Sequence, residues 1–416
     1  MRWSFIVFFL TLLVVLGAAN HYVLRWAERA FSIPRRLRLS LAVVLYASLA
    51  MVTLGRFLDR AVPELSLGAA LAVSFAIQLA VLISAILLLA AELVSFAARI
   101  IERYRSSRKR AGQTKPALAS EPATEAPLVP RRAVLARAAA GSAFLVGSSS
   151  SLYGTLVGRH DYTIEELAVR LPGLSKALDG FTIVQLSDIH VGSFVGRAEL
   201  EAGFEFVRRA KPDLVVLTGD LIDHDASFAE TLGRFARRLA PLAREGVTAI
   251  TGNHDYYAGV IPTVRALERG GARVLRNEGR VIGGAQGFAL LGVDDVMARR
   301  FSRDEGPDLK AAVDSLPQID GRHAARDLPR VLLCHNPSFF EQAAGKVELQ
   351  LSGHTHGGQV NLVVRPGELF MKNGWIAGLY ERSGSKLYIN RGFGTAGPPA
   401  RVGAPPEISR VVLTSA

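Results

Sequence analysis

The chain has 416 residues, 49% of them Ala, Val, Ile, Leu, Met, Phe, Trp, Tyr or Cys and 21% charged, a balance that excludes a disordered chain and is greasier than an ordinary soluble one. A single cysteine, Cys334, excludes an intramolecular disulfide framework and a thiolate zinc site. The net charge of +12 is unevenly spread: residues 1–132 carry 17 Lys/Arg against 7 Asp/Glu and residues 133–416 carry 32 against 30, so the basicity points to membrane-proximal loops and no nucleic-acid partner is expected.

Uncharged runs lie between Arg2 and His21, Arg38 and Arg56, and Glu64 and Glu92. Each is long enough, at about 1.5 Å per residue, to approach or cross an apolar layer of about 30 Å, so residues 1–98 are expected to form three transmembrane helices. Gln78 sits in the third run with no second polar residue accompanying it, and it reads as a packing residue rather than a transport site. Arg25, Arg29, Arg35, Arg36 and Arg38 follow the first run, and nine Lys/Arg lie from Arg99 to Arg132. The positive-inside rule then places the N-terminus outside and residues 99–132, rich in Pro, Ala, Ser and charge, in the cytoplasm as a flexible linker. Arg131-Arg132 and the weakly apolar stretch after them suit a fourth anchor helix over 133–158 or a twin-arginine-like signal segment, and either sends the rest of the chain outward. A surface-lying segment that leaves the domain cytoplasmic is the third reading.

From Tyr162 the pattern becomes short Val/Ile/Leu runs alternating with amphipathic helices: strands at 182–186, 214–217 and 247–250 with helices at 197–210 and 226–240 between them. Later strands fit 273–276, 280–282, 287–293, 330–335, 347–352, 386–390 and 408–414. Continuous apolar strands separated by helices predict a buried α/β sheet and a layered domain over 160–416. The polar residues fall at strand ends: Asp188 and His190 after VQLS, Asp220 and Asp223 after VVLTG, Asn253, His254 and Asp255 after TAITG, His335 after VLLC, and His354 and His356 after LQLSG. Each cluster alone is more often a turn or a cap, but five of the chain's nine histidines sit in them, and residues at strand termini of an open α/β sheet can converge.

The order D-x-H, G-D-x-x-D, G-N-H-D, H, G-H-x-H resembles the calcineurin-like metallophosphoesterase superfamily over about Tyr162 to Ser415, and GHTHGGQ with the Arg391-Gly392-Phe393-Gly394 and Pro405-Pro406-Glu407-Ile408 tail looks like its membrane-attached or exported bacterial branch. The resemblance implies a four-layered α/β/β/α sandwich and a binuclear centre. Asp188, His190 and His356 would hold one ion, Asn253, His335 and His354 the other, and Asp220 would bridge them. His254 would donate a proton to the leaving oxygen or bind the phosphate, and Asp223 would sit just outside the ligands. Carboxylate, amide and imidazole donors without thiolate suit Mn, Fe, Zn or Co, and two such ions would activate a hydroxide for in-line attack on a phosphoryl group. Asp255 reads equally as a group orienting His254 or as a helix cap, while His224, Asp225 and Asp295 read as surface and Cys334 as core.

The expectation is thus a membrane-anchored phosphoesterase, multi-pass in a bacterial cell membrane with an extracytoplasmic domain, acting on a phosphodiester or phosphomonoester that is lipid- or envelope-linked. A UDP-diacylglucosamine-type pyrophosphohydrolase and a non-catalytic membrane scaffold are the alternatives.

Overall fold

The computed structural model describes residues 2–61, 67–110, 131–301, 306–319, 323–362, 365 and 367–415. The chain divides into two compact units, Met1–Leu152 and Tyr153–Ala416.

The first unit is helical: α1 (Arg2–Phe31), α2 (Arg35–Ala61), α3 (Gly68–Arg110) and α4 (Arg131–Leu156), whose last residues pass into the second unit. Among the described residues three stretches, Leu10–Phe31, Arg35–Gly55 and Gly68–Arg105, are long and apolar enough to cross a membrane. The third helix runs on to Arg110, so the start of the segment expected to be flexible is helical, and residues 111–130 of it lie outside the described residues.

Gln78 does have polar company. Its amide exchanges hydrogen bonds with buried Asn20 and donates to Ser48 Oγ at 2.8 Å and the Leu45 carbonyl at 3.0 Å, tying α3 to α1 and α2. The expectation of a lone polar residue fails because its partners come from other runs, whereas the packing role stands. α4 falls outside the three crossing stretches, being rich in Ala, Gly and Ser. Small residues let it lie close and antiparallel to α3: Ser84 Oγ donates to the Ala143 carbonyl at 3.2 Å and Ser151 Oγ to that of Ala76 at 2.6 Å.

The second unit packs two six-stranded sheets face to face. The first has the order β1 (Thr163–Arg170), β14 (Glu407–Thr414), β2 (Phe181–Leu186), β3 (Leu214–Thr218), β4 (Val247–Ile250), β5 (Ala272–Val274); the second has β12 (Gly378–Arg382), β13 (Ser385–Ile389), β11 (Leu349–Ser352), β10 (Arg330–Leu333), β7 (Phe288–Gly292), β6 (Glu278–Ile282). A two-stranded pair, β8 (Gln318–Ile319) and β9 (His323–Ala324), lies apart. The strands β2–β5 and β7, β10, β11, β13 run parallel within their sheets.

Alternation explains the continuous apolar runs, because both faces of each sheet are covered. Ile183, Val216, Ile250, Leu290, Val331, Leu349 and Val411 fill the space between the sheets. Val184, Leu186, Val215 and Leu217 point the other way, onto helices α5 (Arg197–Ala210), α6 (Ala229–Leu239) and α8 (Val260–Arg269) through Val207, Leu232, Phe235 and Leu267. On the far face of the second sheet Leu291, Leu332 and Leu387 meet Ala312, Phe340 and Ala343 from short helices. The result is the expected four layers, α/β/β/α. β1, β12 and α8 were not anticipated, and the helix expected at 226–240 begins as a 3-10 turn at 226–228 capped by Asp225, whose side chain accepts from Ser227 N at 2.8 Å.

Candidate metal centre

Five parallel strands, β2, β3 and β4 of one sheet and β10 and β11 of the other, end on the same side, and every residue of the sequence motif leaves from one of those ends. The backbone there is strained. Asp188, His190, Asp220, His354 and His356 all have φ between 51° and 74°, a left-handed conformation costing a non-glycine residue about 1–3 kcal/mol, which clusters where function requires an aimed side chain.

Two trios result: Asp188, His190 and His356, and Asp220, His335 and His354, with the ligand atoms of each within 4.8 Å of one another. In the first, His356 Nε2 lies 3.1 Å from His190 Nε2 and 3.3 Å from Asp188 Oδ1. In the second, His335 Nε2 lies 3.2 Å from Asp220 Oδ2 and 3.3 Å from His354 Nδ1. Asp220 Oδ2 is also 3.8 Å from His190 Nε2, so one carboxylate oxygen stands between the trios. His335 Nδ1 is 2.8 Å from the Thr218 carbonyl, which fixes that nitrogen as the donor and turns the Nε2 lone pair inward. Asn253 begins the short helix α7 (Asn253–Ala258), and its buried Oδ1 has no hydrogen-bond partner. That oxygen is left for a cation. Carboxylates, imidazoles and an orphaned amide oxygen suit two borderline divalent ions.

The electrostatics agree. Burial alone would raise Asp220, but His335, His254 and His190 hold it well below the usual carboxylate range. Burial, then the charge of His335, lowers His354 to about 4, and burial with His190 and Arg401 pushes His356 well down, leaving both imidazoles neutral and able to donate a lone pair. His335 moves up despite burial because Asp220 faces it.

A third group, His190, Asp223 and His254, shares His190 with the first trio. His254 Nδ1 is 2.7 Å from the Asp223 carbonyl, its backbone N–H donates to Asp220 Oδ1 at 2.8 Å, and its ring stands edge-on to His190 at 4.6 Å. Burial opposes its protonation, but Asp220 and Asp223 outweigh burial and push it up to about 9. Asp255 is a cap and not the orienter of His254: its carboxylate accepts from Gly252 N at 2.8 Å, Leu221 N at 3.0 Å and Ile222 N at 3.1 Å, pinning the β3 and β4 loops together. Burial and then Asp220 raise its carboxyl to about 7.

Three residues of the site escaped the sequence reading. The Tyr257 ring is tilted against that of His254 with centroids 5.2 Å apart, Asp295 is buried rather than at the surface, and Arg401 is fully buried beside His356. An aromatic after a motif and lone charges in loops carry no signal of where they point. Cys334 is a buried core residue, as expected.

Residues 181–358 match the calcineurin-like phosphoesterase family. The chain is 31% identical over 293 residues to a transmembrane protein with metallophosphoesterase domain from Danio rerio, which covers 66% of this chain and 62% of that one. It is 30% identical over 274 residues to an uncharacterized metallophosphoesterase from Aquifex aeolicus, covering 65% of this chain and 97% of that one, and 29% identical over 279 residues to one from Bacillus subtilis, covering 63% and 89%. The chain therefore belongs to the calcineurin-like metallophosphoesterase family, and it spans 62% of the length of the vertebrate relatives it matches.

Proposed function

We propose that the chain is a membrane-anchored, dinuclear-metal phosphoester hydrolase acting on a phosphodiester or phosphomonoester that is lipid- or envelope-linked. The observation that carries the reading is the pair of adjacent trios, with Asp220 Oδ2 of the second 3.2 Å from His335 Nε2 and 3.8 Å from His190 Nε2 of the first. Asp188, His190 and His356 would hold one ion, Asn253, His335 and His354 the other, and Asp220 both. Two divalent ions held there would supply Lewis acidity for phosphoryl oxygens and would lower the pKa of a bound water toward ~7. The protein's own part is geometric and protonic. The left-handed loops aim the donors, and Asp255 holds the two loops that carry Asp220 and Asn253. His254, with Nδ1 committed to the Asp223 carbonyl, keeps Nε2 to protonate the leaving oxygen.

The substrate reading rests on the three apolar helices of the first unit and on the transmembrane naming of the vertebrate relatives. The bacterial-envelope setting rests on bacterial relatives matched over most of their length. The outward placement of the domain takes α4, which packs antiparallel to α3 through small residues, as a fourth crossing after a cytoplasmic linker. The purified full chain in detergent, loaded with Mn²⁺, should hydrolyse aryl phosphodiesters or monoesters and should prefer a micellar lipid phosphate to its water-soluble headgroup. Two bound ions without hydrolysis of any ester would sink the reading, and equal rates on lipid and headgroup would sink its lipid clause. A C-terminal reporter active only outside the cytoplasm should score, and a bright cytoplasmic one would reverse the topology.

A further inference from the structure

The two trios carry unequal charge. Asp188 and the shared Asp220 give the first side two carboxylates, whereas on the second Asp220 is joined only by the neutral donors Asn253, His335 and His354. By ligand charge alone, an ion on the Asp188 side would be held more tightly.

Outside the ligands the balance runs the other way. Arg401 is 1% exposed, and its guanidinium donates to the carbonyls of Arg391, Gly392, Gly394, Ala404 and His356 while Nη2 lies 3.2 Å from His356 Nδ1. None of those groups is anionic. A Cβ built on Gly392 would lie 2.8 Å from Asp188 Cβ and 3.1 Å from Arg401 Nη2, so this glycine packs against both the cation and the ligand residue. Asp295 mirrors it on the other side. β7 and β10 run parallel with Gly292 beside Leu333, which brings residues 295 and 335 out of the same sheet edge. Asp295 is 1% exposed; Oδ1 accepts from Met297 N at 2.8 Å, Oδ2 has no hydrogen-bond partner, and its charge acts on His335 and Asp220.

We propose that these two buried outer charges, Arg401 behind the Asp188 trio and Asp295 behind the His335 side, counter the unequal ligand charge and set the relative affinities of the two metal positions. Arg401 weakens the ion beside it and Asp295 strengthens the other. They are positioning residues that touch neither substrate nor reacting atoms, and the inference rests on the dinuclear reading above.

The test is a Mn²⁺ titration of the chelator-stripped full chain in detergent, with free Mn²⁺ read by electron paramagnetic resonance. Wild type should take up two ions. Asp295→Asn, nearly isosteric, should weaken one of them by roughly 10–100-fold, the range usual for groups just outside a metal's ligands, and leave the other in place. Arg401→Met should tighten the other ion, Arg401→Lys should keep the wild-type isotherm, and the double variant should show the shifts on different ions. If Arg401→Met does not fold, Asp295→Asn decides. Two ions bound with an unchanged isotherm in Asp295→Asn, or both variants shifting the same ion, would overturn the inference alone. Uptake of fewer than two ions by wild type would overturn it together with the dinuclear reading.

Discussion

Both units bury a cluster of polar side chains, and the clusters differ in how they are satisfied. Around Gln78 the amide groups and the Ser48 hydroxyl find partners in Asn20 and in the Leu16 and Leu45 carbonyls. At the strand ends, imidazole lone pairs and carboxylate oxygens face one another, and Asn253 Oδ1 faces no donor at all. A buried polar group without a partner costs about 1–3 kcal/mol, so a fold that keeps one beside five strained backbone positions is accepting a cost that a ligand would offset. The first cluster fastens helices. The second is built to bind.

The contrast breaks most sharply at Asp220. Asp220→Asn should leave the domain folded but reduce hydrolysis by at least about a thousandfold, on the order of 4 kcal/mol of barrier, with loss of at least one ion by metal analysis. Full metal occupancy with retained turnover would show that Asp220 is not shared.

His254→Ala should keep the metal content and lower turnover by roughly 10²–10⁴-fold, less on esters whose leaving group needs no proton. The same variant tests the electrostatics. With its pKa raised to about 9, protonated His254 stabilises the metal-free fold below the ordinary value of about 6.5, and that contribution is lost as pH rises through about 9. Thermal unfolding of chelator-treated wild type should therefore decline across that window, and His254→Ala should flatten the decline.

Gly353→Ala attacks the scaffold of the site. Its Cβ would fall 2.2 Å from Asp188 Oδ2 and 1.9 Å from Ser187 Oγ, so the ligand carboxylate must move. Metal affinity should drop by roughly 10–100-fold, comparable to loss of a group supporting the ligands, and an unchanged Mn²⁺ isotherm would show that the strand end yields without cost. Gln78→Leu should make the smallest change at the metal centre: it removes the interhelical hydrogen bonds of Gln78 to Asn20, Leu45 and Ser48, each costing about 0.6 kcal/mol on average within a bilayer, so detergent thermal stability should fall and metal uptake should not change. A loss of bound metal in Gln78→Leu would erase the distinction between fastening and binding clusters.

Most of the first sheet was legible because its strands are continuous runs of β-branched and aliphatic residues punctuated by helices, and covered parallel strands have that pattern. β1 and β12 were not legible: TIEELAVR and GLYER are half-polar edge strands whose pairing with β14 and β13 is made by distant chain. The strand-end pattern pointed to the motif residues as a group, and only the family resemblance suggested which of them would be the seven candidate ligands and what His254 would do. The sequence could not show that Asp255 caps the α7 turn, that Gln78 has company, or that Arg401 and Asp295 stand behind the ligands. Motif and strand spacing are local properties, written along one stretch of chain. Burial and electrostatic neighbourhood depend on which strands pair and which loops close over them, and only the tertiary structure decided that a surface-like Asp and Arg would become fixed charges flanking the site.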